Sequence, residues 1–240
     1  MQLLWRGVTR YHDWFDKRRN IPRQMLAQAQ QAGLIGQVDW TSVGPKDERQ
    51  NVESKDYALD QLLDHRPGRG ELYRIAAGGL RPSLWEMRLA LFPFERSEGQ
   101  VKGYNILNLW FEAEPWFGAE RSDALAHIFR SIHSPYNTEV GFIHPYERWS
   151  KLSDTLRGPY GEPVTAGPFF SGVYWCNFLG HGHLALFDLS RLRDVKTYQV
   201  EWIGDEGLFI RVCRDLAEAT TPAVEEEMFR LTERFKAARR

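Results

Sequence analysis

Cys176, His181 and His183 lie close together in the stretch YWCNFLGHGH, and their side chains are types that carry metal or nucleophile chemistry. Thiolates and imidazoles are the usual ligands of zinc, and a thiol beside an imidazole is also how a cysteine nucleophile is activated. A catalytic zinc site needs about three protein ligands, and no CxxC or HExxH pattern accompanies the stretch. The alternative function for this chain is a metal-dependent hydrolase that uses His181 and His183 as metal ligands. It requires a distant carboxylate, such as Asp188 or Glu112, as a further ligand.

Cys176 also has an ordinary structural interpretation, because the residues around it alternate as in a strand. In GVYWCNFLG, Cys176 falls on the same side as Tyr174 and Phe178, which places the thiol in apolar packing. Nothing in the neighbouring sequence would lower the pKa of this thiol, as a nucleophilic cysteine requires. The pattern predicts a buried and inert cysteine.

A second group of residues, in NLWFEAEPWFG, combines carboxylates with large aromatic rings. Glu112 and Glu114 are two residues apart on a predicted strand, so their side chains share one side, as paired acid/base carboxylates do. The same spacing is typical of a solvated strand end, which is the simpler interpretation. The sequence contains no GxSxG, P-loop or GxGxxG pattern, so it predicts no enzyme and no cofactor.

The rings and acids of this stretch have the composition of a protein-binding surface for a basic partner. Pro115 and Gly118 bracket two of the rings, which predicts that those rings lie on a turn beyond the strand end. A second acidic turn follows in GDEG. The alternative is that two or three of the rings are simply core. The predicted partner-binding residues are Glu112, Glu114, Trp116, Phe117, Asp205 and Glu206.

The composition of the 240 residues fits a protein with a packed core, because 42% of them are hydrophobic. The length suits one large domain, and without a convincing linker we expect a single domain over 1–240. Lys and Arg number 31 against 32 Asp and Glu, and the net charge of −1 argues against a general nucleic-acid binder. Electrostatic recognition by this chain must therefore be local.

The sequence also bears on the compartment in which the protein works. Its start, MQLLWRGVTRYHDW, lacks the apolar stretch of a signal peptide, and no segment reaches the roughly 18 apolar residues of a membrane span. Two cysteines are too few for a disulfide framework, which is compatible with a reducing compartment. We expect a cytoplasmic protein without a membrane partner.

Hydrophobic periodicity predicts the elements that must position these residues. SLWEMRLALF and KGYNILNLWFEAE alternate with period two and predict two antiparallel strands joined by the turn RSEGQ. Helical spacing predicts a helix over Pro22–Ala32 with a glycine as its stop, and another that begins at Ser54. A third helix is predicted from a cap at Ser122, with His127 and His133 off its apolar stripe and in solvent.

The C-terminal part predicts a further hairpin and a closing helix. YQVEWIGDEGLFIRVC alternates on both sides of GDEG, as two strands and their turn do. LALFDL is short enough to be a strand or the first turn of a helix, and both are left open. Thr221 as cap and Pro222 at the first helical position begin the last helix. Strand pairs separated by helices predict an α+β fold with a largely antiparallel sheet covered by helices.

In chain order, GVYWCNFLG, LALFDLSRL, YQVEWIGDEGLFIRV and the helix after TTPAVEEEM resemble the C-terminal half of bacterial immunity proteins. Such proteins protect cells from type VI secreted or polymorphic toxins, and the chain resembles the immunity protein 52 family in particular. The shared motif is aromatic and structural, and the family supplies no catalytic residues. The resemblance implies an α+β cytosolic protein without activity of its own, which binds a cognate toxin effector protein, often a nuclease. Cleft blocking and prevention of toxin assembly are both compatible with it.

Overall fold

The residues described by a computed structural model fall into two compact units. The described residues are 1–10, 27–43, 50–51, 73–79, 84–95, 101–133, 138–148, 172–205 and 207–240. The first unit comprises Met1–Gly7 with Ala113–Arg240, and the second comprises Val8–Glu112. The expectation of a single domain over 1–240 stays a prediction.

Most of the described strands precede residue 113, and the longer helices follow it. The strands are β1 Gln2–Arg10, β2 Trp40–Val43, β3 Gln50–Asn51, β4 Tyr73–Gly79, β5 Trp85–Glu95, β6 Val101–Glu112, β7 Thr138–Pro145, β8 Cys176–Gly180, β9 Gln199–Ile203 and β10 Gly207–Arg211. The longer α-helices after β6 are α1 Ala119–His133 and α4 Pro222–Ala238. Two single-turn helices lie between them, α2 His181–Leu184 and α3 Leu189–Leu192. Two 3-10 helices span Glu114–Trp116 and Leu216–Thr220. No helix within the described ranges is both long and apolar enough to cross a membrane.

Some predicted elements are only partly described. Helical turns occupy 27–31 and end before Gly33, whose φ of 72° suits the predicted glycine stop. The start of that helix, the helix predicted after Ser54 and the turn RSEGQ lie outside the described residues.

The second unit contains an antiparallel sheet with the strand order β3-β2-β4-β5-β6. The two alternating stretches predicted as a strand pair are β5 and β6, with Trp85 opposite Phe111 and Met87 opposite Leu109. These four side chains are buried, whereas Arg88 on the same strand is exposed. The predicted strand pair with one buried side is confirmed.

The first unit has a sheet with the order β1-β7-β8-β10-β9. β8 pairs antiparallel with β7 and β10, and β10 pairs antiparallel with β9. α1 covers one face, where the ring centroid of Phe129 lies 6.4 Å from that of Phe209 on β10. α4 covers the other face, where Leu231 and Phe235 share a buried cluster with Leu208. The predicted α+β fold, a largely antiparallel sheet covered by helices, is confirmed.

The C-terminal elements also follow the sequence. β9 and β10 are the predicted hairpin, and α4 begins at Pro222 with Thr221 in the cap position. The Thr221 hydroxyl does not cap the helix but donates to the carbonyl of Glu218 at 2.8 Å. LALFDL runs from the last residue of α2 to the first residue of α3, and between them Phe187 forms an isolated antiparallel bridge with Arg239, so the stretch is a connection rather than a strand or one helical turn.

His133 is buried, which corrects the expectation that this side chain lies in solvent. Its Nε2 accepts a hydrogen bond from Trp5 Nε1 at 3.0 Å, and its Nδ1 lies 2.8 Å from Thr138 Oγ1. The ring fits because Gly141 has no side chain: a Cβ there would lie 2.7 Å from the imidazole. The periodicity of α1 alone does not contain this information, because a strand of the sheet supplies the space. His127 is exposed, as expected.

Ser122 lies inside α1 rather than before it, which corrects the predicted cap. α1 begins at Ala119, directly after Gly118 with its φ of 91°. The Ser122 hydroxyl donates to the carbonyl of Trp116 at 2.9 Å and accepts from the N–H of Leu216 at 2.9 Å. This buried hydroxyl therefore joins the two 3-10 helices instead of starting an α-helix.

Candidate protein-binding surface

The segment after β6 forms the first part of the predicted partner-binding surface. Its 3-10 helix closes through the Trp116 N–H, which donates to the carbonyl of Ala113 at 2.9 Å. Pro115 suits the start of this turn because it has no N–H that would need an acceptor. Glu114 is exposed, and its carboxylate pairs with the N-terminal ammonium of Met1. That hydrogen bond lowers the pKa of Glu114, so its side chain is an anion at neutral pH.

Trp116 and Phe117 are half-buried, so each ring keeps surface that a partner can reach. Gly118 turns the chain after them, and its N–H donates to the carboxylate of Asp215 at 3.1 Å. The Ser122 hydroxyl holds the carbonyl of Trp116 from the other side. Side chains from outside the turn therefore fix it, and a turn that is already ordered loses little entropy on binding.

The residues of NLWFEAEPWFG up to Glu112 belong to the second unit and are less accessible than Glu114. Phe111 is buried, as the core interpretation predicts for part of this stretch. Trp110 is half-buried, with Arg88 Cζ 5.7 Å from its ring centroid. Glu112 is half-buried at the end of β6, so the two acids Glu112 and Glu114 fall in different units.

The β9–β10 hairpin carries the second part of the predicted surface. Asp205 is exposed in its turn, and Glu206 lies outside the described residues. Two further rings are accessible on this hairpin: Tyr198 is 50% exposed and Trp202 is 40% exposed. The sequence analysis missed them as binding residues. Alternation in the sequence predicts one side of a strand for both, but Tyr198 precedes β9 and its ring lies beside Arg211, which reaches α1. The exposure of Trp202 comes from the position of β9 at the end of the sheet order.

The Tyr198 ring lies beside the buried guanidinium of Arg211. The Cζ atom of Arg211 is 5.3 Å from the ring centroid of Tyr198 and 5.3 Å from that of Trp175. Its Nη1 donates to Asp123 Oδ1 at 2.7 Å, and Arg214 donates to the other carboxylate oxygen at 2.9 Å. The hydrogen bond from Arg214 lowers the pKa of Asp123 most, and the hydrogen bond from Arg211 lowers it further. The network joins β10 to α1 and supports the Tyr198 ring.

The candidate metal and nucleophile residues differ in their surroundings. Cys176 is fully buried in β8, and burial raises the pKa of its thiol well above the usual value, which confirms the prediction of a buried cysteine. His181 is exposed, whereas His183 is buried. Asp188 caps α3 by accepting from the Ser190 N–H at 3.1 Å. In the part of the chain that the structure describes, no group of three or more His, Cys, Asp or Glu side chains could hold a metal ion.

Comparison with known proteins gives a likeness in fold. No protein-family model matches the chain, and no curated protein matches its sequence significantly. A solved structure described as Pseudomonas aeruginosa T6SS protein PA0821 is similar, with a TM-score of 0.60 and 14% sequence identity. The similarity covers 99% of this chain and 73% of that chain. At this identity the likeness shows a shared fold.

Proposed function

We propose that this chain is a type VI immunity protein, which binds a cognate toxin and neutralises it without catalysis. The observation that carries the proposal is the hairpin on which two accessible rings, Tyr198 and Trp202, accompany the exposed carboxylate of Asp205. Glu114 and Trp116 form a second group of the same composition. The description of the similar solved structure as a T6SS protein supports the association with type VI secretion.

The chemistry of these groups suits a nuclease as the toxin. A nuclease carries basic side chains that hold phosphate, and exposed carboxylates attract such a surface. Accessible aromatic rings supply the desolvated contacts that dominate the energy of protein interfaces. A toxin that acts on nucleic acid is met in the cytoplasm, so the proposed protein works there, without a cofactor and without contacting nucleic acid or membrane.

The proposal allows two modes of inhibition, which an assay separates. An immunity protein that covers the catalytic cleft stops a fully assembled toxin at once. One that prevents assembly protects only when it is added before the toxin has assembled. Order-of-addition experiments with the purified pair therefore distinguish the two modes.

Growth rescue tests the proposed function. Cells that express the product of the open reading frame beside this gene should stop growing, and cells that also express this chain should grow. A chaperone or adaptor would bind the same product without rescuing growth. A neighbouring operon of metabolic enzymes, or failure to rescue, would contradict the proposal.

An exposed histidine gives a control against the hydrolase alternative. His181→Ala removes a proposed metal ligand at a position where truncation costs little stability, because the side chain lies at the surface. The immunity function should survive this change in full. Loss of protection by a folded His181→Ala variant, together with metal bound to the purified wild-type chain, would favour the hydrolase.

A further inference from the structure

β9 is the last strand in the sheet of the first unit, and among the described strands it has one neighbour, β10. All of Gln199–Ile203 pairs with β10 on that side. In an antiparallel pair, alternate residues direct their backbone N–H and C=O groups away from the neighbouring strand. β9 therefore presents a row of backbone donors and acceptors of the kind that another strand can pair with.

β9 lacks the proline, lysine and bulge that often block pairing at such an edge. Its sequence, QVEWI, contains no proline and no lysine, and its pairing with β10 runs from end to end without a bulge. Its single charge, Glu201, points to the face covered by α1 and pairs there with Arg130. The outer edge of β9 is thus regular and long enough to accept a strand of similar length.

The charge around this edge indicates which kind of strand would pair with it. The stretch YQVEWIGDEG contains three acidic residues and no basic one, but Glu201 is already paired with Arg130, so the negative charge that a partner meets lies at the turn, where Asp205 is exposed. Opposite charges on neighbouring strands stabilise a pair, and like charges directly opposite destabilise it. A strand with basic side chains therefore fits the edge. A second copy fits less well, because its own β9, QVEWI, carries no basic side chain to place near the acidic turn.

The exposed rings indicate what the apolar positions of such a strand would meet. Trp202 lies opposite Leu208, which is fully buried under α4. The Trp202 ring therefore extends the apolar face of the sheet past the last strand. An apolar side chain on an added strand, about 5 Å further out, would cover this ring.

We propose that β9 is the docking edge for an extended, basic segment of the cognate toxin, which joins the sheet as an additional strand. The identity of the partner rests on the proposed function. Backbone hydrogen bonds hold the segment, and its side chains select it: an apolar one beside Trp202 and a basic one near the exposed carboxylate of Asp205.

Calorimetry with the product of the neighbouring open reading frame gives the first test. Trp202→Ala removes the ring that the added strand would cover, and it should raise Kd about 30-fold or more. Trp202 is partly exposed and lies on an edge strand, so the variant should remain folded, which its circular dichroism and melting curve verify.

Phe229→Ala is the matched control, because Phe229 is an exposed ring on another surface of the same unit. It is 58% exposed on α4. It lies on the flank of that helix with Glu225, which pairs with Arg148 just beyond β7. Arg230, which lines the same surface pocket as Phe229, donates to the carbonyl of Lys196, so Phe229 lies nearer the start of β9 than the Trp202 end. We expect the Kd of Phe229→Ala to stay within about threefold of wild type.

Hydrogen exchange of the β9 amides gives the second test, because it reports on the backbone itself. Strand addition should slow exchange at alternate residues of Gln199–Ile203, those that direct their N–H away from β10. The amides that already pair with β10 should change little. A partner that contacts only side chains would leave the outward amides exchanging at their rates in the free protein.

The possible failures of this inference and of the proposed function are distinguishable. If the wild-type chain does not bind the neighbouring product at all, the proposed function falls and the inference with it. If it binds, but Trp202→Ala keeps wild-type affinity and the outward amides of β9 stay unprotected, the edge proposal alone falls. A dimer of the chain that Trp202→Ala abolishes would assign the edge to a second copy and also overturn the proposal.

Discussion

At the residue scale, the ion pair between Arg211 and Asp123 leads to a prediction about stability. The Arg211 side chain is 3% exposed, and Asp123 is its acidic partner. Removing one member of such a pair leaves an uncompensated charge in a desolvated place. Because Asp123 is itself 39% exposed, we expect Asp123→Asn to lower the free energy of unfolding by about 2 kcal/mol, measured by urea denaturation.

Arg214→Ala is the control for that measurement. Arg214 binds the same carboxylate of Asp123, but its side chain is 52% exposed. Exposed ion pairs contribute little, so this variant should lose no more than about 1 kcal/mol. Equal losses in Asp123→Asn and Arg214→Ala would contradict the role assigned to the buried charge of Arg211.

The buried imidazole of His133 makes a prediction about pH. Burial lowers the pKa of His133 from its ordinary value of 6.5 to about 3. In the unfolded chain the imidazole takes up a proton below pH 6.5, whereas in the folded chain it stays neutral, so protons favour unfolding. The stability from this group is full above pH 6.5 and falls as the pH drops towards 3. It should amount to a loss of about 2 kcal/mol at pH 5.

His133→Phe tests this pH dependence. At pH 7 the variant should be less stable by about 1–3 kcal/mol, because Trp5 Nε1 loses its acceptor. Between pH 6.5 and pH 5 its free energy of unfolding should fall less steeply than that of wild type, by about 1.4 kcal/mol per pH unit. Parallel profiles for the two proteins would show that His133 is not the titrating group.

At the same scale, sequence reasoning predicted the turn after β6 more readily than the burial of individual rings. Pro115 and Gly118 predicted the turn after β6, because their backbone preferences are local. The burial of His133 depends on β7, where Gly141 leaves space for the imidazole. The exposure of Trp202 depends on the position of β9 at the end of the sheet. One sequence does not encode either fact within a short window.

At the element scale, α4 stabilises the first unit through its buried stripe. Leu231 is fully buried in the cluster that includes Leu208 and Ile210, whereas Phe229 is largely exposed on the same helix. We expect Leu231→Ala to cost about 2–5 kcal/mol of unfolding free energy, because it leaves a cavity. Phe229→Ala should change stability by about 0.5 kcal/mol or less. Thermal melting of both variants measures the two losses of stability. Similar losses for Leu231→Ala and Phe229→Ala would show that the buried stripe of α4 is not what stabilises the unit.

The turn of Glu114–Trp116 makes a prediction about binding. Trp116→Ala should weaken binding to the toxin by about 2 kcal/mol, measured by calorimetry, and should also reduce folding stability because the ring is half-buried. Glu114→Lys should mainly slow association, most clearly at low salt. Unchanged affinity and unchanged association in the two variants would remove this turn from the interface and leave the β9 hairpin.

Periodicity predicted the elements with long, regular patterns and left the short ones open. The alternation in β5, β6, β9 and β10 and the stripe of α4 each extend over enough residues to decide between periods of two and 3.6. α2 and α3 are single turns, and a window as short as LALFDL contains no period. A tertiary contact holds the connection between them, where the Asp188 N–H donates to the carbonyl of Ala238 at 2.7 Å.

At the scale of the whole molecule, the fold class follows from the order of strands and helices, whereas function depends on surfaces. Because the net charge of the chain is close to zero, electrostatic recognition must depend on local acidic groups. The hairpin with Trp202 carries one such group, the exposed carboxylate of Asp205. Sequence alone selected the acidic turn of this hairpin and missed its rings. The exposure of Trp202 depends on which strand ends the sheet, and strand order is a property of the folded chain.

Titration of the purified chain into the nuclease reaction of the cognate toxin tests the central claim most directly. Neutralisation by direct binding predicts that activity falls in proportion to the added chain and ends near equimolar amounts. Trp202→Ala should require a larger excess, whereas Phe229→Ala should match wild type. Full nuclease activity in the presence of a large molar excess of folded wild-type chain would contradict the account.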